Sequence, residues 1–281
     1  MPPVTPVIPV TSVAPVTALA RCVAPVVLAL LGLGAGGRRA RADHCQPLID
    51  APADALGLSA RLHFESAIYE RALSEGSWSG LSTELGGGWG RWQARGWIGA
   101  YQLDRNGVTE QGIGDAGLET RVTAWRSESA AAPLRLGPRL AMTLPTGDAA
   151  TGFGMGHAMV MPGLWWSLPG QRFSWGGLVA YGRALGAMEG HHHGPGPIID
   201  PMNSSEVLAS AGLNVALIGQ LDALLTASYA RPLVDNGAAR GAAGLGLLWN
   251  ARPVHLGATV QLPLVGDAFR VRAIASAGLG F

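Results

Sequence analysis

A single antiparallel up-and-down transmembrane β-barrel, all-β, with about twelve strands and a polar lumen, is the fold this sequence predicts. Three observations lead there. Apolar residues alternate with polar ones through most of the chain, the connections alternate in length, and the polar phase is a poor match for a water-facing surface. Of 281 residues, 48% are hydrophobic, only 14% are charged and 41 are glycine, whereas about a quarter of residues in ordinary soluble domains are charged.

The alternation is explicit. In "LSARLHFES", Leu58, Ala60, Leu62 and Phe64 oppose Ser59, Arg61, His63 and Glu65; in "DAGLETRVTAW", Leu118, Thr120 and Val122 oppose Glu119, Arg121 and Thr123. "PLRLGPRLAMTL" sets Leu134, Leu136, Leu140 and Met142 against Arg135, Gly137, Arg139 and Thr143. A period of two denotes strands with unlike faces. Such segments fall near 57–70, 78–90, 92–103, 114–126, 133–145, 154–168, 172–185, 205–218, 221–233, 239–250, 253–264 and 270–281. Between them, "WGR", "RSESAAAP", "LPGQR", "IGQ" and "NAR" are mostly short, while "LDRNGVTEQGIG", "PTGDAATGFG", "GAMEGHHHGPGPIIDPMNSS" and "LVDNGAARG" are longer and rich in Gly, Asp and Pro. Short turns at one end and longer loops at the other, on an even strand count, are the pattern of outer-membrane barrels. A β-sandwich would need the polar phase as its surface, and that phase carries many glycines and alanines and few charges. In lipid the arrangement inverts, with leucines toward acyl chains and charges toward the lumen, and closure satisfies every backbone polar group. Trp78, Trp89, Trp92, Trp97, Trp165, Trp166 and Trp249 fall mostly near segment ends, where interfacial belts are expected.

The first 42 residues read as a cleaved signal peptide: Arg21, an apolar run "VAPVVLALLGLGAG" from Val23, then Ala40-Arg41-Ala42. The run is shorter than the roughly 20 residues of a spanning helix. Residues 43–56 then form an N-terminal periplasmic segment and 57–281 the barrel. Removing the leader leaves 16 arginines against 19 acidic residues, a net charge of −3, and no lysine anywhere. That balance gives no basis for nucleic-acid binding. Cys22 leaves with the leader, so Cys45 has no cysteine partner and no disulfide framework exists.

The last segment, "RVRAIASAGLGF", ends on Phe281 in phase with Val271 and Leu279. It resembles the C-terminal strand of bacterial outer-membrane proteins, whose terminal aromatic residue is read by the barrel-assembly machinery. "GIGDAGLETRVTAW", "PLRLGPRLAMTLPTGD" and "GHAMVMPGLWWS" resemble the outer-membrane transporter family named for the meta-pathway of phenol degradation. The resemblance covers about a third of the mature chain. It implies location in the outer-membrane lipid and passage of small organic solutes, and it brings no catalytic residue. Pro145 ends strand pairing, and Gly147-Asp148 supply turn chemistry.

In this frame Arg61, His63, Glu65, Glu84, Arg95, Glu119, Arg121, Arg135, Arg139, Glu206, Arg270 and Arg272 share the lumenal phase, as cross-strand pairs or selectivity determinants. The last strand closes on the first, so Arg270 and Arg272 are expected to meet Glu65. A second function, metal handling, rests on two groups. Met155, His157, Met159 and Met161 lie on one phase, a donor set suited to copper. His191, His192 and His193, beside Met188, Glu189 and Asp200, sit in the longest loop, where copper or zinc is the candidate ion. Methionines filling a narrow lumen and a solvated histidine loop are the plainer readings. Neither a Gly-x-Ser-x-Gly nor a His-Glu-x-x-His motif occurs, and His63 and Ser66 fall on opposite faces, so no enzyme is expected.

Overall fold

The computed structural model describes residues 57–71, 74–127, 133–170, 172–186, 199, 202–233, 238–251, 253–266 and 269–280. The leader, His44 and Cys45, the loop histidines His191 to His193 and the terminal Phe281 lie outside the described residues. The strands are β1 (Gly57–Arg71), β2 (Ser74–Trp89), β3 (Trp92–Arg105), β4 (Val108–Ile113), β5 (Ala116–Val122), β6 (Trp125–Arg126) and β7 (Arg135–Leu144). They continue as β8 (Ala158–Leu168), β9 (Phe173–Leu185), β10 (Ser205–Ile218), β11 (Leu221–Pro232), β12 (Arg240–Ala251), β13 (Val254–Val265) and β14 (Phe269–Gly280).

Each pairing is antiparallel, and β1 bonds to both β2 and β14, which closes the sheet. Because β4 and β5 bond successive parts of β3, and β5 and β6 successive parts of β7, these three segments act as one stave. The fourteen segments therefore make a closed barrel of twelve staves.

The alternation sorts side chains as the period of two requires. Leu58, Leu62 and Phe64 are exposed on the outer wall while Ser59 and Glu65 are buried; Leu85 is 62% exposed beside buried Glu84. Leu213, Leu225 and Leu245 align on neighbouring strands of the outer wall. No helix among the described residues is long and apolar enough to cross a membrane. The apolar exterior lies on strands, as in lipid-facing barrels.

Several expectations change. "LDRNGVTEQGIG" is not a loop. β3 runs to Arg105 and turns at Asn106-Gly107, with φ of 51° and 83°, into β4. Two successive positive φ values define the hairpin turn that Asn-Gly favours. The second segment begins at Ser74, four residues before the expected 78, and the sixth begins only at Ala158, so residues 154–157 belong to a loop.

The tryptophans divide. Trp89 and Trp92 flank the β2–β3 turn on the outside, and Trp166 meets Trp175 edge-on near the β8–β9 turn. Trp78 and Trp165, by contrast, are 3% and 1% exposed, and Trp97 shares the lumenal phase of β3. Those three face inward because their strand parity is that of the polar residues. There they lie against Arg272, Arg121 and Arg95, with guanidinium carbons 5.2, 5.9 and 5.5 Å from the ring centroids.

Candidate functional site

One wall of the lumen, built from β1, β2, β3, β5 and β7, carries a connected set of charges. Glu119 is its centre and is nearly fully buried. Its carboxylate accepts from Arg95 Nη2 at 3.2 Å, from Arg139 Nε at 3.1 Å, and from Arg121 on its own strand. Arg95 also donates Nη1 to Glu84 Oε2 at 3.0 Å. Glu84 is opposite Arg61 in the β1–β2 register, and His63 is two residues further along the same face. Arg135 is buried farther down β7. Two separate pairs brace other parts of the lumen: Arg240 with Glu206 at 2.7 Å, and Arg272 with Glu65.

Arg270 departs from expectation. The β1–β14 register shifts between Ile68 and Tyr69, so Tyr69 is opposite Phe269 and the phase of β14 changes there. Phe269 packs on the inner aromatic cluster, and Arg270, with its side chain 68% exposed, pairs with Glu70 instead of Glu65. A bulge of one residue exchanges the two faces.

A second bulge forms the mouth of the site. Trp97 is opposite Gly117 and Ala100 is opposite Ile113, so three steps on β3 match four on the fourth stave. The extra residue falls in the Gly114-Asp115 stretch. Asp115 Oδ1 accepts the Gly147 N–H at 2.9 Å and Oδ2 accepts the Met155 N–H at 2.7 Å. Thr146 Oγ1 donates to the Gly114 carbonyl and accepts the Ala116 N–H, both at 2.8 Å. Arg105 Nη2 donates to the Thr151 carbonyl at 2.6 Å. The β7–β8 loop is thereby tied to the fourth stave at both ends, and Phe153 is buried with Tyr69, Trp78, Tyr101, Leu103 and Ile199.

Glycine is required at these close approaches. A Cβ on Gly112 would lie 2.6 Å from the Phe153 ring, and one on Gly154 would lie 2.6 Å from Asp115 Oδ1. Asp148 supplies the expected turn chemistry, accepting the Ala150 N–H at 2.9 Å on Oδ1 and the Phe153 N–H on its carbonyl.

Under the loop is a cavity of about 270 Å³ whose lining includes the charged residues Arg95, Asp115, Glu119 and Arg139 together with Trp97, Tyr101, Phe153, Met155, Met161 and Met202. A second cavity, about 290 Å³, shares Arg139 and Met161 with the first and extends toward Ser210, Ser228 and Arg240.

The methionine and histidine phase is only partly brought together. Met155 and Met161 reach the first cavity, Met159 is sealed in a cluster with Ala141 and Ala180, and His157 is buried just before β8. Among the described residues no group of three or more His, Cys, Asp or Glu is placed to hold a metal ion. Alternation put Asp115 and Thr143 on the polar phase without singling either out, and it gave no signal for Phe153, which lies in a loop. The one sequence signal for them is glycine density around "GIGDAG" and "TGFGMG".

A closed twelve-stave barrel with an apolar outer wall and a charged interior defines the class: an antiparallel barrel of the outer-membrane type. Among solved structures the chain is similar to an outer membrane channel from Pseudomonas putida F1, with a TM-score of 0.58, 10% identity and coverage of 86% of this chain and 100% of that one. The translocator domain of autotransporter NalP from Neisseria meningitidis gives a TM-score of 0.44 at 15% identity, over 95% and 96% of the two chains. The NanC porin gives 0.47 at 9% identity, over 80% and 98%. The first likeness speaks to the fold, and the other two carry no weight. No family model and no curated protein matches the sequence, so the phenol-pathway family suggested by the short motifs gains no support.

Proposed function

We propose that the protein is a passive channel of the bacterial outer membrane for small solutes, small organic molecules among them. The observation that carries this reading is the wall itself: leucines face outward, arginine and glutamate face inward, and two cavities have Arg139 and Met161 in both their linings. An apolar exterior on a closed sheet is favourable in lipid, where every backbone group must be bonded internally. A lumen of charged side chains is wetted by water and passes solutes by size and charge. The tied β7–β8 loop and the inward tryptophans narrow that lumen, which favours small solutes over a wide aqueous pore. In this reading the C-terminal strand ending at Phe281 is the segment that the barrel-assembly machinery recognises.

The test is single-channel conductance of the purified, folded protein in a planar bilayer with potassium chloride. Discrete, stable steps are expected. A barrel that inserts, migrates as folded, and passes no current would overturn the channel reading.

A further inference from the structure

We propose that the outer wall of β9, β10 and β11, at its loop end, binds the phosphate of a lipid in the external leaflet of the outer membrane. The inference goes beyond the channel reading and rests on the barrel's place in that membrane, not on conductance.

Sequence is the first argument. β9 and β11 end alike, in "VAYGRAL" (179–185) and "ASYARPL" (227–233). Both carry Tyr-x-Arg at the loop end, Arg183 two residues before the end of β9 and Arg231 one residue before the end of β11. The period of two sends the buried Gly182 and Ala230 to the lumen and Tyr181, Arg183, Tyr229 and Arg231 outward, where all four are exposed. The connections at this end are the longer ones, which marks the external side of an outer-membrane barrel.

Register is the second. β10 lies between the two motifs. Arg183 is opposite Ser205, while Tyr181 and Arg231 are opposite Val207 from either side. The two arginine backbones are therefore roughly 12 Å apart, two strand spacings across and two residues along, a gap that two extended side chains close on one headgroup. Tyr181 Oη accepts from Ser205 Oγ at 3.2 Å, with Arg183 beside the same hydroxyl.

Charge and depth are the third. Arg270, on the same wall at the same end, pairs with Glu70, whereas neither Arg183 nor Arg231 has an ion pair among the described residues. Arginine on the lipid face is tolerated near the interface and costly at the midplane. Its planar fork suits a phosphate bidentately. Tyrosine belongs at the headgroup level, and toward the membrane interior the same face continues with the exposed Val179 and Leu225. Arginine, tyrosine and apolar residues thus follow the order of phosphate, headgroup and acyl chain, which favours a lipid over a free ion.

The test is native mass spectrometry of the full folded barrel in neutral detergent, with bisphosphorylated lipid A, with lipid A stripped of its phosphates, and with inorganic phosphate as competitor. The wild type is expected to retain the phosphorylated lipid roughly tenfold better than the stripped one. The double variant Arg183→Gln with Arg231→Gln is expected to lose that preference, and both sites are exposed, so the heat-modifiable gel band should show it folded. Arg172→Gln, which removes an exposed arginine from the β8–β9 turn at the other end, is expected to keep it. Equal retention of the two lipids, a double variant that matches the wild type, or an equal loss in Arg172→Gln overturns the site. Full displacement by millimolar inorganic phosphate overturns the lipid in favour of a free anion. A dimer that the double variant abolishes, with no lipid preference, overturns it in favour of a second copy of the chain.

Discussion

Arg272 on the last strand donates Nε to Glu65 Oε2 on the first, 2.9 Å away and 207 residues distant in sequence. The pair spans the seam where the barrel closes, and Trp78 on β2 lies over the same guanidinium. Both side chains are largely shielded, so removing one leaves the other with an uncompensated charge. Glu65→Gln is therefore expected to cost about 3 kcal/mol. The check is the urea midpoint for loss of the folded, heat-modifiable gel band; an unchanged midpoint would show that the seam does not depend on this pair.

Glu119 holds three arginines together, and its loss leaves them facing one another with Glu84 as the remaining carboxylate. Glu119→Gln is expected to lower stability and to increase preference for chloride over potassium. Reversal potential in a salt gradient reads the selectivity, and a shift toward potassium would contradict the placement of Glu119 at the centre of a positive lumen.

Asp115 fastens the β7–β8 loop by two backbone hydrogen bonds, each to a charged acceptor and worth about 1.5–3 kcal/mol. Asp115→Ala is expected to free the loop, raise conductance and expose residues 145–157 to protease. Gly154→Val reaches the same state by another route, because a Cβ there meets the Asp115 carboxylate. Equal digestion rates for the wild type and both variants would mean that the loop is held by other contacts.

Leu225 on β11 has Leu213 and Leu245 beside it on the outer wall. Leu225→Arg is expected to cost up to about 2–4 kcal/mol if this position lies near the middle of the bilayer. Arg270→Ala, in contrast, removes an exposed pair and is expected to change stability by under about 1 kcal/mol. Folding yields into lipid vesicles distinguish the two, and equal yields would contradict the assignment of the lipid face.

Local chemistry makes much of this barrel readable from the chain alone. Alternation depends on strand geometry, in which successive side chains point to opposite faces, so Leu58 to Phe64 and Glu119 to Arg121 could be assigned to their walls without coordinates. Turn residues mark the staves in the same way. The Asn106-Gly107 pair even carried a hairpin signal that the length of the surrounding polar stretch obscured.

The sequence by itself therefore determined the number of staves, the apolar exterior and the charged interior, because each depends on residues adjacent along the chain. Only tertiary structure decided which arginine meets Glu119, that Arg270 turns away at a bulge, and that Trp78 and Trp165 stack inward. It also decided that Asp115 reaches across to Gly147 and Met155. Those outcomes depend on register between strands far apart in sequence, where a shift of one residue reverses every face.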